Sequence, residues 1–182
     1  MSTPSETTAN LVRRGICHVL PDEVSLDDGI IPARFAAQRV MDPSVLRAHL
    51  FETIDPELAQ RIAPGDIVIA GKHFACGKPR LQGFIAMAAL DLSIICTSMP
   101  YKMLRRAVAR AIPVITGAPT PHGMADPGDE IEMDFSTGVL RNFTRGVDLT
   151  IPAMPPVLST IVSTGGTQAA LEDWLARHPE QA

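Results

Sequence analysis

The sequence has no apolar run of the ~18–20 residues that a membrane-spanning helix needs. Its first residues, MSTPSETTANLVRRG, also lack the apolar core of a secretory signal. We therefore expect a cytoplasmic protein that makes no membrane contact. Basic residues are not in excess, because 16 Lys and Arg against 20 Asp and Glu give a net charge of −4. Since binding along a nucleic acid needs clustered cations, we expect no nucleic-acid partner.

Cysteine is scarce, and its pattern excludes some site classes. Cys17, Cys76 and Cys96 are odd in number, far apart in sequence and without the spacing of a metal site. We interpret them as buried, reduced thiols. Internal repeats and low-complexity tracts are absent too, while a hydrophobic content of 46% is enough to build a core. We expect a single domain over residues 13–178, preceded by a flexible N-terminal tail over residues 1–12.

The most regular pattern lies between residues 64 and 117. Two longer stretches there, residues 80–90 and 101–110, have the composition of helices. The short apolar runs around them have the length and β-branched content of strands: Ile67–Ala70, Ser93–Cys96 and residues 113–116. Continuously apolar strands alternating with helices predict a parallel sheet buried on both faces. We therefore expect an α/β fold with a parallel βαβαβ core.

The flanking segments predict further strands. Residues 14–20 are interpreted as a first strand, and Ile30 and Ile31 as a short strand or an extended entry. Acidic and apolar residues alternate over residues 129–135, as in a half-buried strand. Two further runs, Val139–Asn142 and residues 148–151, complete a C-terminal antiparallel group.

Capping signals predict further helices. Short helices are expected after Asp42-Pro43 and Asp55-Pro56, since Asp is a favoured N-cap and Pro a favoured first helical residue. Another is expected from Pro155-Pro156 to residue 164, and a last one over Thr167–Arg177, with Thr167 as its cap. We interpret the single Trp174 as a packing residue.

The loop from Gly71 to Pro79 runs directly into the helix predicted at residues 80–90. In parallel α/β folds, ligands bind beyond the carboxyl ends of the strands, and helix N-termini favour anions. The loop matches neither a Walker A pattern nor a dinucleotide fingerprint. The residues alone therefore indicate an anion-binding α/β domain, with carboxylate and phosphate both open.

Two cations in this loop are candidates for anion binding. Arg80 lies where the loop meets the helix, and its planar guanidinium suits bidentate capture of a carboxylate or phosphate. Lys78, beside another cation and a positive helix end, is a candidate base or anion clamp. The simpler interpretation of each is a solvated side chain.

Other residues near the loop carry weaker signals. His73 is a candidate site histidine, although a single histidine is usually structural. Cys76 is expected near the helix start, which favours a thiolate. Asp27 and Asp28 can reach the site expected at this loop, but they are also turn residues, which need no function.

The helix predicted at residues 101–110 carries four cations: Lys102, Arg105, Arg106 and Arg110. Such a helix can form a surface for an anion or a partner. A solvated face is the more common explanation.

An ordered series of motifs resembles the small subunits of 3-isopropylmalate dehydratase and homoaconitase, which are detached swivel domains of the aconitase superfamily. The motifs are DGIIPARF at 28–35, DPELA at 55–59, PGDIVIAGKHF at 64–74, GDEI at 128–131, TGV at 137–139 and PPVL at 155–158. The resemblance covers roughly residues 13–176. It implies a swivelling β/β/α domain.

The same resemblance implies a function. The expected protein is the small subunit of a heteromeric hydro-lyase of leucine biosynthesis, which dehydrates or isomerises a hydroxy di- or tricarboxylate. An aconitase-type large subunit is the implied partner and carries a [4Fe-4S] cluster, while this chain binds no cofactor. The small subunit supplies a base and groups that bind the substrate carboxylate.

The site loop departs from the family pattern Gly-Ser-Ser-Arg-Glu, because it reads Gly77-Lys78-Pro79-Arg80-Leu81. Lys78 stands at the serine base and is the candidate catalytic residue. Arg80 keeps the family arginine, and Gly77 is retained. The candidate substrate-binding residues are Arg80, Gly77, Asp28 and His73.

Three hypotheses follow from these departures. The chain is a working hydro-lyase subunit in which Lys78 replaces serine as a base or carboxylate clamp, a non-catalytic paralogue that binds or regulates a large subunit, or a free-standing carboxylate-binding module.

Overall fold

A seven-stranded mixed sheet organises residues 10–120 and 123–181, the part of the chain that this computed structural model describes. Its strands are β1 (Val12–Leu20), β2 (Ile67–Ala70), β3 (Ser93–Cys96), β4 (Val114–Thr116), β5 (Glu130–Asp134), β6 (Val139–Asn142) and β7 (Val147–Thr150). Across the sheet they follow the order β4-β3-β2-β1-β5-β6-β7. The predicted α/β class is confirmed. Most of the predicted tail, residues 1–9, lies outside the described residues, and Val12 at its end begins β1.

The strand β1 joins a parallel half of the sheet to an antiparallel half. Its second half pairs in parallel with β2, Cys17 facing Ile67, and β3 and β4 continue this parallel half. Its first half pairs antiparallel with β5, Gly15 facing Ile131. The parallel core and the C-terminal antiparallel group are thus both present as predicted.

Seven helices are present among the described residues. They are α1 (Ala33–Ala37), α2 (Pro43–Arg47), α3 (Leu58–Arg61), α4 (Gln82–Ala89), α5 (Tyr101–Ala109), α6 (Pro156–Ser163) and α7 (Thr167–Arg177), and a 3-10 turn follows at Pro179–Gln181. None of these helices is long and apolar enough to cross a bilayer.

Two cores cover the two faces of the sheet, because successive side chains of a strand point to opposite faces. Val68 and Ala70 of β2 belong to a core that includes residues of α1 to α4. Ile67 and Ile69 belong to a second core that includes β5 and Val162 of α6. Burial on both faces explains why the parallel strands are apolar throughout.

Several sequence predictions of local structure are wrong. Ile30 and Ile31 form no strand; both are buried in a turn region, where the carbonyl of Ile30 accepts from the N–H of Phe51 at 2.8 Å. Thr167 begins α7 but does not cap it, since Gly166 takes the N-cap position with a φ of 97°. Trp174 is exposed, and its ring stacks on that of His178 at the surface, so its interpretation as a packing residue stays a prediction.

Candidate active site

The candidate site lies where the loops after β1 and β2 meet. These strands are parallel neighbours, so their carboxyl ends reach the same edge of the sheet. Ser25 in the first loop forms a parallel bridge with Cys76 in the second. The carbonyl of Cys76 accepts from the N–H of Leu26 at 2.9 Å, and the carboxylate of Asp22 accepts from the N–H of Lys72 at 2.7 Å. The two loops are therefore held together by hydrogen bonds to backbone N–H groups.

Asp27 brings the two predicted cations together. Its Oδ1 accepts from Nε of Arg80 at 2.9 Å, and its Oδ2 lies 3.8 Å from Nζ of Lys78. Lys78 is largely exposed, and Arg80 is partly buried. Among the described residues, the two terminal NH2 groups of Arg80 have no hydrogen-bond partner. The guanidinium of Arg80 is thus oriented through Nε, and its terminal NH2 groups are free to bind a ligand.

The backbone around Arg80 forms a tight turn before the helix. The N–H of Arg80 donates to the carbonyl of Lys78 at 2.8 Å, across Pro79. The helix α4 begins at Gln82, two residues later than the start predicted at residue 80. Arg80 consequently lies just outside the first turn, where the partial positive charge of the helix N-terminus adds to the charges of both cations.

Gly77 allows the close contact between the two loops. Its φ of 80° lies in the left-handed region, which glycine adopts without strain. A Cβ at this position would lie 2.6 Å from Oγ of Ser25, closer than van der Waals contact permits. Its place in the site is therefore explained by backbone geometry.

The other two predicted residues lie in the same loops but contact other groups. Oδ1 of Asp28 accepts from the N–H of Ala33 at 3.2 Å, so this carboxylate holds the start of α1. His73 is exposed at a φ of 55°, and its backbone N–H donates to Oγ of Ser98 at 2.9 Å. Their roles as substrate-binding residues remain predictions.

Asp27 is the residue beside the cations that sequence reasoning left without a role. The sequence feature that points to Asp27 is its position after β1, because loops that follow adjacent parallel strands meet at the same edge of the sheet. Which of Asp27 and Asp28 faces the second loop depends on the Ser25–Cys76 bridge. That bridge links residues far apart in sequence, so the pattern alone did not identify it.

The cysteines do not converge. Burial raises the pKa of Cys17 to about 11 and that of Cys96 to about 12. Cys76 was expected near a helix start, but it lies six residues before Gln82, where its thiol donates to the carbonyl of Glu23 at 3.4 Å. Within the described ranges, no three His, Cys, Asp or Glu side chains are placed to hold a metal ion.

Similarity to known proteins identifies the family of the chain. No protein-family model matches the chain. The 3-isopropylmalate dehydratase small subunit of Moorella thermoacetica is 30% identical over 157 residues, which cover 86% of this chain and 92% of that protein. The chain belongs to the 3-isopropylmalate dehydratase small-subunit family. The 2,3-dimethylmalate dehydratase small subunit of Eubacterium barkeri is 34% identical over 140 residues, which cover 76% of this chain and 84% of that protein.

The fold of the family is also the fold of this chain. The crystal structure of 3-isopropylmalate dehydratase from Methanocaldococcus jannaschii superposes with a TM-score of 0.84 at 23% identity. The superposition covers 94% of this chain and 99% of the Methanocaldococcus jannaschii chain. The family resemblance derived from the sequence motifs is thus confirmed, and so is the expected fold.

Proposed function

We propose that this chain is the small subunit of a heteromeric hydro-lyase acting on a substituted malate, a hydroxy dicarboxylate. Two similar proteins are the small subunits of dehydratases for 3-isopropylmalate and 2,3-dimethylmalate, and these names describe malates with one and with two alkyl substituents. The cationic loop of this chain suits the part that such substrates share, which is a carboxylate. The reaction takes place in the cytoplasm.

The orientation of Arg80 is the observation that carries the proposal. Asp27 holds Nε at 2.9 Å, so the guanidinium plane is fixed before a ligand arrives. The two terminal NH2 groups then present the parallel donors that a carboxylate accepts in a bidentate pair. Pre-orientation lowers the entropy cost of binding, because the side chain does not have to be ordered with the substrate.

Lys78 acts as a second clamp on the substrate carboxylate. Its ammonium is largely exposed and lies 3.8 Å from the carboxylate of Asp27, so it is placed beside Arg80 to pair with an anion. A base at this position would require the neutral amine. Lys78→Arg should therefore keep most of the turnover of the assembled enzyme, whereas Lys78→Ala should lose about 10-fold or more. Loss of turnover in both variants would indicate a base instead.

The partner in this proposal is an aconitase-type large subunit, which would carry the iron–sulfur cluster. The residues of this chain do not fit a cluster, since Cys17 and Cys96 belong to cores on opposite faces of the sheet. A cluster held by the large subunit would supply Lewis-acid chemistry. The contribution of this chain is to bind and orient the carboxylate.

Anaerobic recovery of the tagged chain from its own cells tests this proposal. Mass spectrometry identifies the proteins that come with it, and the recovered material is assayed with malates that carry isopropyl or methyl substituents. We expect a large subunit of the aconitase type and turnover of at least one substrate. Recovery of the chain alone would favour a free-standing carboxylate-binding module.

One observation favours a second candidate, the non-catalytic paralogue. Lys78, Pro79 and Leu81 replace three of the five residues of the family loop, and Pro79 removes a backbone N–H that could bind an anion. A large subunit that is recovered without turnover of any substrate would support this second function.

A further inference from the structure

The helix α5 carries a group of cations that are not paired with carboxylates of the described residues. Most arginines of the described chain pair with a carboxylate, as Arg13 and Arg61 do. The four cations at α5 form no ion pair with any described residue: Lys102, Arg105, Arg106 and Arg110. The sequence contains no Asp or Glu between Asp91 and Asp126. Positive charge is thus concentrated here in a chain whose net charge is negative.

Three of these cations line a groove between α5 and α6. The groove has a volume of about 720 Å³ and is lined by Lys102, Arg105 and Arg106 together with apolar side chains, among them Leu158 and Ile161. Tyr101 stands 71% exposed at its side, with the guanidinium of Arg105 5.9 Å from the ring centroid. Arg110, at the C-terminal end of α5, does not line the groove.

The groove begins where the site loop ends. Pro79, between the two site cations, is one of its lining residues, and its carbonyl accepts from Nη1 of Arg106 at 3.4 Å. A molecule bound in the groove would therefore lie against the loop that carries Lys78 and Arg80. Its position makes the groove part of the surface around the active-site mouth.

We propose that this groove docks an acidic segment of the large subunit, an inference that rests on the function proposed above. Charge complementarity selects the occupant, because unpaired cations attract carboxylates and steer association. The apolar side chains that share the groove indicate a polypeptide. A small hydrophilic anion would leave Leu158 and Ile161 uncovered, whereas a segment with acidic and apolar side chains covers both. Docking at this place fixes the site loop against the large subunit.

Charge reversal in the groove tests the proposal. The variant Lys102→Glu/Arg105→Glu removes two groove cations and leaves Arg106 on Pro79. The matched control Arg39→Glu/Arg47→Glu makes the same change in net charge at exposed cations that lie away from α5, do not line the groove and form no ion pair with a described residue. Association with the co-purified large subunit is measured anaerobically at about 0.05 M and about 0.5 M NaCl. Surface charges are weakly screened at the lower concentration and strongly screened at the higher one.

We expect the groove variant to associate at least ~10-fold more slowly than wild type at low salt and the difference to shrink at high salt. The control should stay within ~2-fold of wild type. With saturating large subunit, the groove variant should recover the wild-type kcat, because neither residue belongs to the site. If charge reversal prevents folding, Lys102→Gln/Arg105→Gln replaces it, with a smaller slowing expected.

Two results would overturn the docking proposal while leaving the proposed function intact. The groove variant would associate like wild type at both salt concentrations, or both double variants would slow equally, as expected for an effect of net charge alone. If wild-type chain associates with no large subunit, the proposed function fails, and the docking proposal fails with it.

Discussion

Asp27 accepts a hydrogen bond from Nε of Arg80 at 2.9 Å, and its other carboxylate oxygen lies 3.8 Å from Nζ of Lys78. One acidic side chain from the loop after β1 thus orients two cations from the loop after β2. Its negative charge partly offsets the charges of Lys78 and Arg80. If Arg80 and Lys78 bind the substrate as proposed above, Asp27 is a positioning residue that acts through them.

Removing Asp27 should release both cations. We expect Asp27→Ala to lower kcat/KM of the assembled enzyme by about 10-fold or more, since a hydrogen bond to a charged group is lost and the reacting geometry loosens. Glu132→Ala is a suitable control, because Glu132 pairs with Arg141 at 3.1 Å in the antiparallel half and is similarly buried. Steady-state kinetics on both variants checks this. An unchanged kcat/KM in Asp27→Ala would show that Arg80 needs no positioning.

Gly77 should be costly to replace for two separable reasons. Gly77→Ala forces a side chain into the left-handed region, which costs roughly 1–2 kcal/mol, and places a Cβ 2.6 Å from Oγ of Ser25. Gly65→Ala has a φ of 90° and no atom within 4 Å, so it carries only the first cost. Urea denaturation should show a larger loss of unfolding free energy for Gly77→Ala. Equal losses would mean that the two loops are not tightly packed at Gly77.

The three cysteines should differ in reactivity. Burial holds the pKa of Cys17 at about 11 and that of Cys96 at about 12, so both stay protonated and covered, whereas Cys76 is only half-buried. An excess of iodoacetamide at about pH 8 should modify Cys76 alone in the folded chain. All three should react after denaturation. Mass spectrometry of peptides gives the site, and rapid modification of Cys96 in the folded state would contradict the structure.

Glu52 should make stability depend on acid pH. Burial raises the pKa of its carboxyl, but hydrogen bonds from His49 and Arg34 outweigh this and place the pKa below its ordinary value of 4.5. The folded state therefore binds this proton less readily than the unfolded state. The stabilisation is fully present above pH 4.5 and is lost as pH falls through the lowered pKa.

The variant Glu52→Gln isolates this effect. Urea unfolding should show wild type more stable than Glu52→Gln at about pH 6, with the difference shrinking towards about pH 3. Asp148→Asn is the control, because the Asp148 carboxylate is exposed and its nearest cation, Nε of Arg141, is 4.0 Å away, too far for a hydrogen bond. A difference between wild type and Glu52→Gln that does not change with pH would contradict the lowered pKa.

Much of the fold followed from local pattern. The strands β2 and β3 were predicted with their bounds because burial on both faces makes them continuously apolar. The turn at Ile30 and Ile31 was not predicted, since an apolar pair in a turn can be buried by packing just as in a strand. Thr167 was predicted as the cap of α7, but Gly166, one residue earlier, takes that position.

The site followed from the sequence only in part. The cationic loop was found because it follows a parallel strand and precedes a helix. Its partner Asp27 was not singled out, because the bridge between Ser25 and Cys76 sets which carboxylate faces the cations. Contacts between residues so far apart depend on tertiary packing, which a single sequence does not specify.

Turnover of the assembled enzyme with both site cations removed tests the central claim most directly. Lys78→Ala/Arg80→Ala is compared with Arg47→Ala/Arg110→Ala, and the amount of large subunit bound is measured in the same samples. We predict that both variants assemble like wild type and that only the site variant loses kcat/KM, by at least about 100-fold. Full assembly with wild-type turnover in the site variant would contradict the role of this chain in binding the substrate carboxylate.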